Sequence, residues 1–299
     1  METAGTVPDE AGATGAVAFA AIAPHGGIAI AGSGRDEDAA EASATQQALL
    51  RLGARLGQSR AESVVLFTPH NVHVEGTFAV IDAGRMRGAI HDGAVQLEAA
   101  VDRDLVRRIR EEAAAREIPM RAVSYGGNDA ATATHPMDWA TLIPFWYLGG
   151  RVDPPPSVAV VVPARDRSPA EHVRLGEAIG EAIRASGKRV AVVASCDHGH
   201  GHEASGPYGF RPESAVYDAE VQRLLREDRL GALVDLDPDL VGAAAADSWW
   251  QMLMLRGVLG DGWRPELLSY ERPTYFGMMV AGFSALDRGA AGITESDSV

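Results

Sequence analysis

Three imidazoles stand at alternate positions in one short stretch of the chain, at His198, His200 and His202. The segment before them, 190–194, is short, apolar and rich in Val, which predicts a buried strand. Ligands bind at the carboxyl ends of strands in α/β sheets, and imidazole is a common metal ligand and acid–base group. The stretch therefore indicates a metal-binding or acid–base site, while by itself it also fits a Gly- and His-rich surface turn.

Two further histidines each follow a predicted strand and a proline. Segments 17–23 and 63–67 are apolar and β-branched or small, and a Pro-His pair comes just after each of them. Because the two pairs repeat one pattern, we expect His25 and His70 to be metal ligands, although either one alone would suggest a surface loop. His73 either supports this site or lies at the surface.

A carboxylate that could complete such a site lies near the strongly apolar segment 243–259, which predicts a buried helix. Asp247 is one of the few polar residues in its first half, and it either caps the helix or serves as an oxygen ligand. His135 and Asp138, before the apolar run 140–148, either line a pocket or act as a loop histidine and a helix cap.

Two imidazoles and one carboxylate with open positions form the facial triad of non-haem Fe(II) oxygenases. The carboxylate offsets part of the metal charge, and the vacant face accepts a substrate beside oxygen. A further histidine nearby can take a proton from the substrate and return it later. His25, His70 and a carboxylate therefore point to oxygenase chemistry.

The composition sets limits on partners and location. The chain has 299 residues with 46% hydrophobic and 23% charged residues, which is enough for a sizeable globular core. A net charge of -14 argues against nucleic acid or an anionic membrane as the main partner. The single cysteine, Cys196, excludes an intramolecular disulfide, and the first residues do not resemble a signal peptide. We therefore expect a cytoplasmic protein.

Predicted strands and helices alternate along the chain, which indicates an α/β fold. We expect one domain over 16–285, with flexible tails at 1–15 and 286–299. The proline-rich stretch 153–156 is interpreted as a connector within that domain, and His172 is expected to be exposed. The other expected elements are helices at 36–58, 99–117, 169–186 and 214–228, strands at 119–124 and 158–162, a polar linker at 235–240, and a last apolar segment at 278–283.

Taken together, these motifs resemble the class III extradiol ring-cleavage dioxygenase superfamily, of the protocatechuate 4,5-dioxygenase beta-subunit type. The resemblance extends from about residue 19 to residue 283 and includes Memo-like relatives. Each motif is short, but their order and spacing together are fairly specific. They are 22–27, 67–70, 194–200 and 247–259.

The resemblance implies a single α/β domain with a mixed central β-sheet flanked by helices. It also implies that His25 and His70 match the two metal imidazoles of the family. The catalytic histidine of the family would fall at His200, with His198 as the alternative.

Two departures from the family pattern concern the site. The third metal ligand of the dioxygenases is a Glu. In this chain the corresponding residue is Asp247, and Ser248 and Glu271 are the alternatives for the third ligand. Many members also carry Asp-His-Gly where this chain has Asp138, Trp139 and Ala140. These departures bear on activity more than on fold.

The resulting hypothesis is an Fe(II)-dependent extradiol dioxygenase that opens a catechol or 2-aminophenol ring with O2, with Zn(II) or Mn(II) as alternative metals. His135, Tyr208 and Arg211 are expected to bind the substrate, the last two through a substrate carboxylate. The alternatives are a Memo-like metal-binding protein, in which Cys196 supports redox signalling, and a metal-dependent hydrolase. We also expect a homo-oligomer, and a small partner subunit as in part of the family.

Overall fold

The computed structural model describes residues 14–30 and 42–286. Most of both expected tails, and the start of the helix expected at 36–58, lie outside the described residues. The strands are β1 (Ala16–Ala23), β2 (Ser63–Phe67), β3 (Phe78–Ile81), β4 (Arg85–Ile90), β5 (Val95–Ala100), β6 (Met120–Val123), β7 (Thr134–Pro136), β8 (Ser157–Val162), β9 (Arg189–Ser195), β10 (Trp263–Glu271) and β11 (Met278–Ala285). The helices are α1 (Ser43–Ser59), α2 (Arg103–Ala115), α3 (Trp139–Tyr147), α4 (Pro169–Ser186), α5 (Pro212–Arg226), α6 (Pro238–Ala243) and α7 (Trp249–Leu259).

An eight-stranded sheet forms the centre of the molecule, in the order β10-β11-β1-β9-β2-β8-β3-β6. The strands β1, β9, β2 and β8 are parallel neighbours, whereas β11 runs antiparallel to β1 and β3 antiparallel to β8. Helices cover the sheet, so its central strands are buried apolar runs. The expected mixed α/β fold is confirmed.

The register of the parallel strands aligns their carboxyl ends. Ala23 of β1 pairs with Ser195 of β9, and Phe67 of β2 pairs with Ala194 of β9 and Val161 of β8. Side chains that follow these strands therefore emerge side by side at one edge of the sheet.

A second, three-stranded sheet in the order β5-β4-β7 was not expected from the sequence. Residues 95–100 alternate between buried and exposed positions, as in a strand with one face covered. The helix expected at 99–117 accordingly begins only at Arg103, where the Asp102 carboxylate caps the Leu105 N–H.

Helix α4 matches the expectation at both ends. Ser168 and Glu171 form a reciprocal capping box, and Gly187 ends the helix with a φ of 71°. His172 in the first turn is fully buried, which corrects the expectation that it is exposed. Its ring lies edge-on against Phe78 at 4.8 Å, and burial lowers its pKa to about 4.

The segment expected as one long helix at 243–259 is divided. Helix α6 occupies part of the expected linker, and α7 begins only at Trp249. Ala245, with a φ of 47°, lies in the turn between them. Asp247 therefore precedes α7 and does not cap it. Within the described residues, no helix is both long and apolar enough to cross a membrane.

Candidate metal centre

Four polar side chains gather where the parallel strands end. His25 lies two residues after β1, and Asp197 lies two residues after β9. His70 and Arg165 each lie three residues after their strands, β2 and β8. All four line one cavity at this edge of the sheet, as expected for a ligand site in an α/β fold.

His25, His70 and Asp247 form a group that could hold a metal ion, with one ligand atom from each lying within 4.8 Å of the others. The Asp247 Oδ2 atom lies 3.5 Å from His25 Nε2 and 3.6 Å from His70 Nε2. An ion bound at ~2.1 Å from each ligand leaves neighbouring ligand atoms roughly 3.0–3.5 Å apart. The observed spacing is therefore close to that of a small divalent cation site.

Ser195 at the end of β9 fixes the orientation of His25. Its hydroxyl donates to the Ala140 carbonyl at 2.6 Å, so it can only accept from His25 Nδ1, at 3.0 Å. The proton of the neutral imidazole is thereby placed on Nδ1. The Nε2 lone pair is left facing Asp247, which is the arrangement of a metal-binding histidine.

Asp197 adds negative charge on the other side of His25. Its Oδ1 accepts the His25 backbone N–H at 3.0 Å, and its Oδ2 lies 3.5 Å from His25 Nε2. Burial opposes protonation of His25, but Asp197 and Asp247 outweigh it and raise the pKa of His25 to about 9. Burial also raises the pKa of Asp197. The pair of carboxylates makes this point of the cavity favourable for a cation.

His70 lies against the indole of Trp139, with ring centroids 4.3 Å apart and planes tilted by 34°. Burial, followed by the nearby His25, lowers the pKa of His70 to about 4. The imidazole is therefore neutral near pH 7 and keeps a lone pair for a metal.

Asp247 is suited to be the third ligand. Burial would raise the pKa of Asp247, but the surrounding histidines bring it below its usual value. Its Oδ1 is buried and has no hydrogen-bond partner among the described residues. Gln251 in α7 donates to the backbone carbonyls of Asp247, at 2.6 Å, and Ser195, at 3.1 Å, which ties the ligand segment to β9. A buried carboxylate with an unused oxygen fits a metal ligand.

The other two candidates for this position have different partners. The Glu271 carboxylate accepts the backbone N–H groups of Ala44 and Thr45 at the start of α1. The Ser248 hydroxyl is hydrogen-bonded to Tyr217 at 2.8 Å and to His198 at 3.1 Å. Neither belongs to the group around His25.

The structure places His200, but not His198, in the wall of the cavity. The ring of His200 stacks on Phe276, with centroids 5.6 Å apart, and lies 5.5 Å from the ring of Tyr208. Its Nδ1 is buried and unpartnered among the described residues. His198 is fully buried, and burial lowers its pKa to about 4.

His202 completes a structural network next to this loop. Its Nε2 lies 2.8 Å from Asp218, whose carboxylate also accepts from Gly199 N–H and the Tyr270 hydroxyl. These contacts anchor the loop that carries His200.

The cavity has a volume of about 510 Å³, which is ample for a substituted aromatic ring. Its walls combine small residues, such as those of 241–246, with five aromatic side chains. The aromatic side chains are Trp139, Tyr208, Trp250, Tyr275 and Phe276.

Of the expected substrate-binding residues, Tyr208 lines this cavity, whereas Arg211 and His135 do not. Arg211 instead donates to the backbone carbonyls of Tyr208 and Ala243, so its guanidinium holds the loop in place. His135 lines a neighbouring cavity and is hydrogen-bonded to Asn71. Their roles in substrate binding stay predictions, and the structure shows only that neither residue lines the cavity of His25.

Sequence reasoning did not single out Arg165 or Trp139 as residues of the site. Arg165 donates to the Pro69 carbonyl at 3.1 Å, and its guanidinium lies 4.7 Å from the centre of the Trp250 ring. Arg165 could have been found from its position, because it lies three residues after β8, just as His70 lies three residues after β2. Trp139 was noted only as a departure from the family motif.

The carboxyl edge of a mixed α/β sheet thus carries two histidines and a carboxylate that could hold a metal ion. The chain belongs to the family of the catalytic LigB subunit of aromatic ring-opening dioxygenase, whose model matches residues 19–281. The resemblance found in the motifs is confirmed.

Two other proteins are similar to this chain. Protein CA_C1420 of Clostridium acetobutylicum is 21% identical over 282 residues, and the match covers 93% of this chain and 60% of that protein. The chain therefore spans less than two thirds of that relative's length. The crystal structure of uncharacterized protein JW3007 from Escherichia coli K12 has a TM-score of 0.57 at 15% identity, covering 88% of this chain and 98% of the other. At this identity the similarity concerns the fold.

Proposed function

We propose that this protein is a non-haem Fe(II)-dependent dioxygenase that opens the ring of a catechol or 2-aminophenol beside its two adjacent polar groups. The observation that carries this proposal is the group of His25, His70 and Asp247 at an aromatic-lined cavity. Family membership supports the reaction class, and the donor set is the one that non-haem Fe(II) enzymes use.

The three residues would hold the metal through His25 Nε2, His70 Nε2 and a carboxylate oxygen of Asp247. When bound, the metal supplies a Lewis acid that lowers the pKa of the substrate hydroxyl and a centre for oxygen activation. Ser195 holds the tautomer of His25 that leaves Nε2 free. Mn(II) and Zn(II) are the alternatives for this donor set.

His200 is the proposed acid–base residue. It lines the cavity, and its imidazole would accept the proton of the substrate hydroxyl, then return it to the opened product. The stack with Phe276 keeps the imidazole in one orientation during this transfer.

The aromatic walls would hold the substrate ring and exclude water. Tyr208 and Tyr275, with ring centroids 6.3 Å apart, form one side of this wall. Arg165 lines the same cavity and would bind an anionic substituent on the ring. In the overall reaction one ring carbon–carbon bond breaks, and both oxygen atoms of O2 end in the product as a carboxylate and a carbonyl.

Oxygen uptake tests this proposal. Protein loaded with Fe(II) without air should consume O2 with members of a panel of catechols and 2-aminophenols and form a yellow ring-opened product. His70→Ala should abolish the uptake, and His73→Ala should retain it. Bound iron without uptake across the panel would contradict the dioxygenase and favour a metal-binding or hydrolytic role.

The thiol of Cys196 does not support the redox alternative. The side chain is fully buried and contacts the Ser248 carbonyl at 3.6 Å. Burial, with the charge of Asp247, raises the pKa of the Cys196 thiol well above its usual value. The reactive thiolate is therefore disfavoured.

We propose the cytoplasm as the location, since a free buried cysteine and the absence of disulfides among the described residues fit a reducing compartment. A homo-oligomer and a small partner subunit stay predictions from the family resemblance.

A further inference from the structure

A second cavity adjoins the metal cavity. Its volume is about 730 Å³, compared with about 510 Å³ for the cavity that His25 lines. His70, Trp139 and Arg165 line both cavities and form the boundary between them. The second cavity is therefore the neighbouring space for a molecule bound beside His70.

The second cavity has mainly apolar walls. They include Val72, Val123, Tyr125, Val162 and Pro163. Cavities of this size with apolar and aromatic linings commonly bind small molecules. This composition favours an uncharged ring or hydrocarbon group over an ion.

His135 gives this wall one unused polar atom. Asn71 donates through Nδ2 to the Pro136 carbonyl and to Asp138, so its Oδ1 accepts from His135 Nε2 at 2.8 Å. Burial lowers the pKa of His135, which leaves a neutral ring with an acceptor at Nδ1. That atom is buried and unpartnered among the described residues, and His135 itself is only 5% exposed. An apolar ring cannot hydrogen-bond to this atom, so His135 contributes to the second cavity only as part of its wall.

Trp139 is placed to contact ligands on both sides. It is 49% exposed although its indole stacks on His70. The preceding residue, Asp138, caps α3 and also accepts from the Thr68 hydroxyl, so the backbone beneath Trp139 is held firmly. The exposed part of the indole therefore offers a rigid aromatic surface at the boundary.

We infer that the substrate is a catechol bearing a second aromatic ring, with the distal ring bound in the second cavity between Trp139 and Tyr125. This inference rests on the proposed function and specifies its substrate class. A single-ring catechol would occupy the metal cavity alone and leave the larger cavity unused. A separate aromatic molecule, bound in the second cavity beside a single-ring substrate, would present the same apolar ring to these walls.

The turnover experiment compares catechol with 3-phenylcatechol in the Fe(II)-loaded protein. The wild type should favour 3-phenylcatechol in kcat/KM by at least about tenfold, the order expected for burying a ring. Ser124→Trp, at an exposed position in the wall of the second cavity, should remove most of this preference. Ala122→Trp on the exposed edge of β6 is the matched control and should keep it, because Ala122 does not line the cavity. Thermal unfolding of both variants shows whether the fold is kept.

The outcomes separate this inference from the proposed function. Turnover of catechol with no preference for 3-phenylcatechol, or a preference unchanged in Ser124→Trp, overturns the inference and leaves the function standing. Turnover of catechol that increases when biphenyl is added would assign the cavity to a separate aromatic molecule, and would also overturn it.

A binding measurement decides the case in which neither compound is turned over. Calorimetric titration of the metal-free protein with 2-phenylphenol and with phenol should give at least about tenfold tighter binding of 2-phenylphenol. Ser124→Trp should lose that difference and Ala122→Trp should keep it. Equal binding of the two phenols would overturn the inference, whereas the expected difference without any turnover would place the failure in the proposed function.

Discussion

Ser195 controls His25 through a single hydroxyl group. The hydroxyl donates to the Ala140 carbonyl and accepts from His25 Nδ1, so one side chain links β9, the start of α3 and the metal-facing histidine. Contacts of this kind orient metal-binding histidines, and their loss typically lowers metal affinity by about 10–100-fold.

Ser195→Ala should therefore weaken Fe(II) binding by about tenfold or more, because His25 loses the partner that fixes its tautomer. The dissociation constant measured by anaerobic competition with a chromogenic chelator reports this change. Ser63→Ala is the control, since Ser63 is another buried strand serine, its hydroxyl bonds the Ser157 carbonyl, and it lies at the opposite end of β2 from the site. Unaltered affinity in Ser195→Ala would remove the assigned role of the hydroxyl.

At the residue scale, the three candidate ligands could be named from the sequence, and the structure brings them together, whereas the residues around them could not be named. His25 and His70 could be found because a proline and an imidazole follow each of two apolar strands. Asp247 was singled out as one of the few polar residues in an apolar segment, although its position outside α7 depends on the turn that contains Ala245. Arg165 and the stacking of Trp139 on His70 depend on how distant segments pack, which spacing along the chain does not encode.

At the scale of elements, the contact between α4 and α7 positions the segment that carries Asp247. The two helices meet at glycines, where the Gly176 and Gly257 backbones lie so close that a Cβ on Gly257 would lie 2.1 Å from the Val173 carbonyl oxygen. A side chain there would push α7 away from α4, and with it the Gln251 amide that bonds Asp247.

Gly257→Ala should lower the free energy of unfolding by about 1–3 kcal/mol, the usual cost of overpacking. Urea denaturation measures the change. Gly57→Ala, in α1, is the matched control, because a Cβ at Gly57 meets nothing within 4 Å. Since Ala is the better helix former, that variant should gain up to about 1 kcal/mol. Equal effects of the two substitutions would show that the helix contact is not tight.

The elements themselves were predicted unevenly. Helix α4 was predicted with both of its caps, because Ser-Pro at one end and Gly at the other are strong local signals. The hairpin of β4 and β5 was missed, although Val95, Leu97 and Ala99 alternate with polar or exposed residues. The charged segment that follows has a helical pattern, and the helix predicted from it was extended back over the end of this two-residue alternation. Strand β10 was missed because it is only partly buried and lacks a clear apolar alternation.

At the scale of the whole molecule, folding assembles the metal centre from segments far apart in the chain. His25, His70 and Asp247 belong to different parts of the sequence, and they meet only because β1 and β2 both pair with β9 in register. The apolar strands in the sequence were enough to predict the α/β class and to place the candidate site at the carboxyl edge of the sheet. The position of Asp247 relative to that edge required the packed structure.

The proposed function depends most on one metal ion being bound by His25, His70 and Asp247. The direct measurement is the iron bound per chain after equilibrium dialysis against Fe(II) without oxygen. We predict about one iron in the wild type and in His73→Ala, and a large loss in His70→Ala and Asp247→Ala, because each removes a ligand. An Asp247→Ala protein that retains iron as the wild type does would contradict the assigned site.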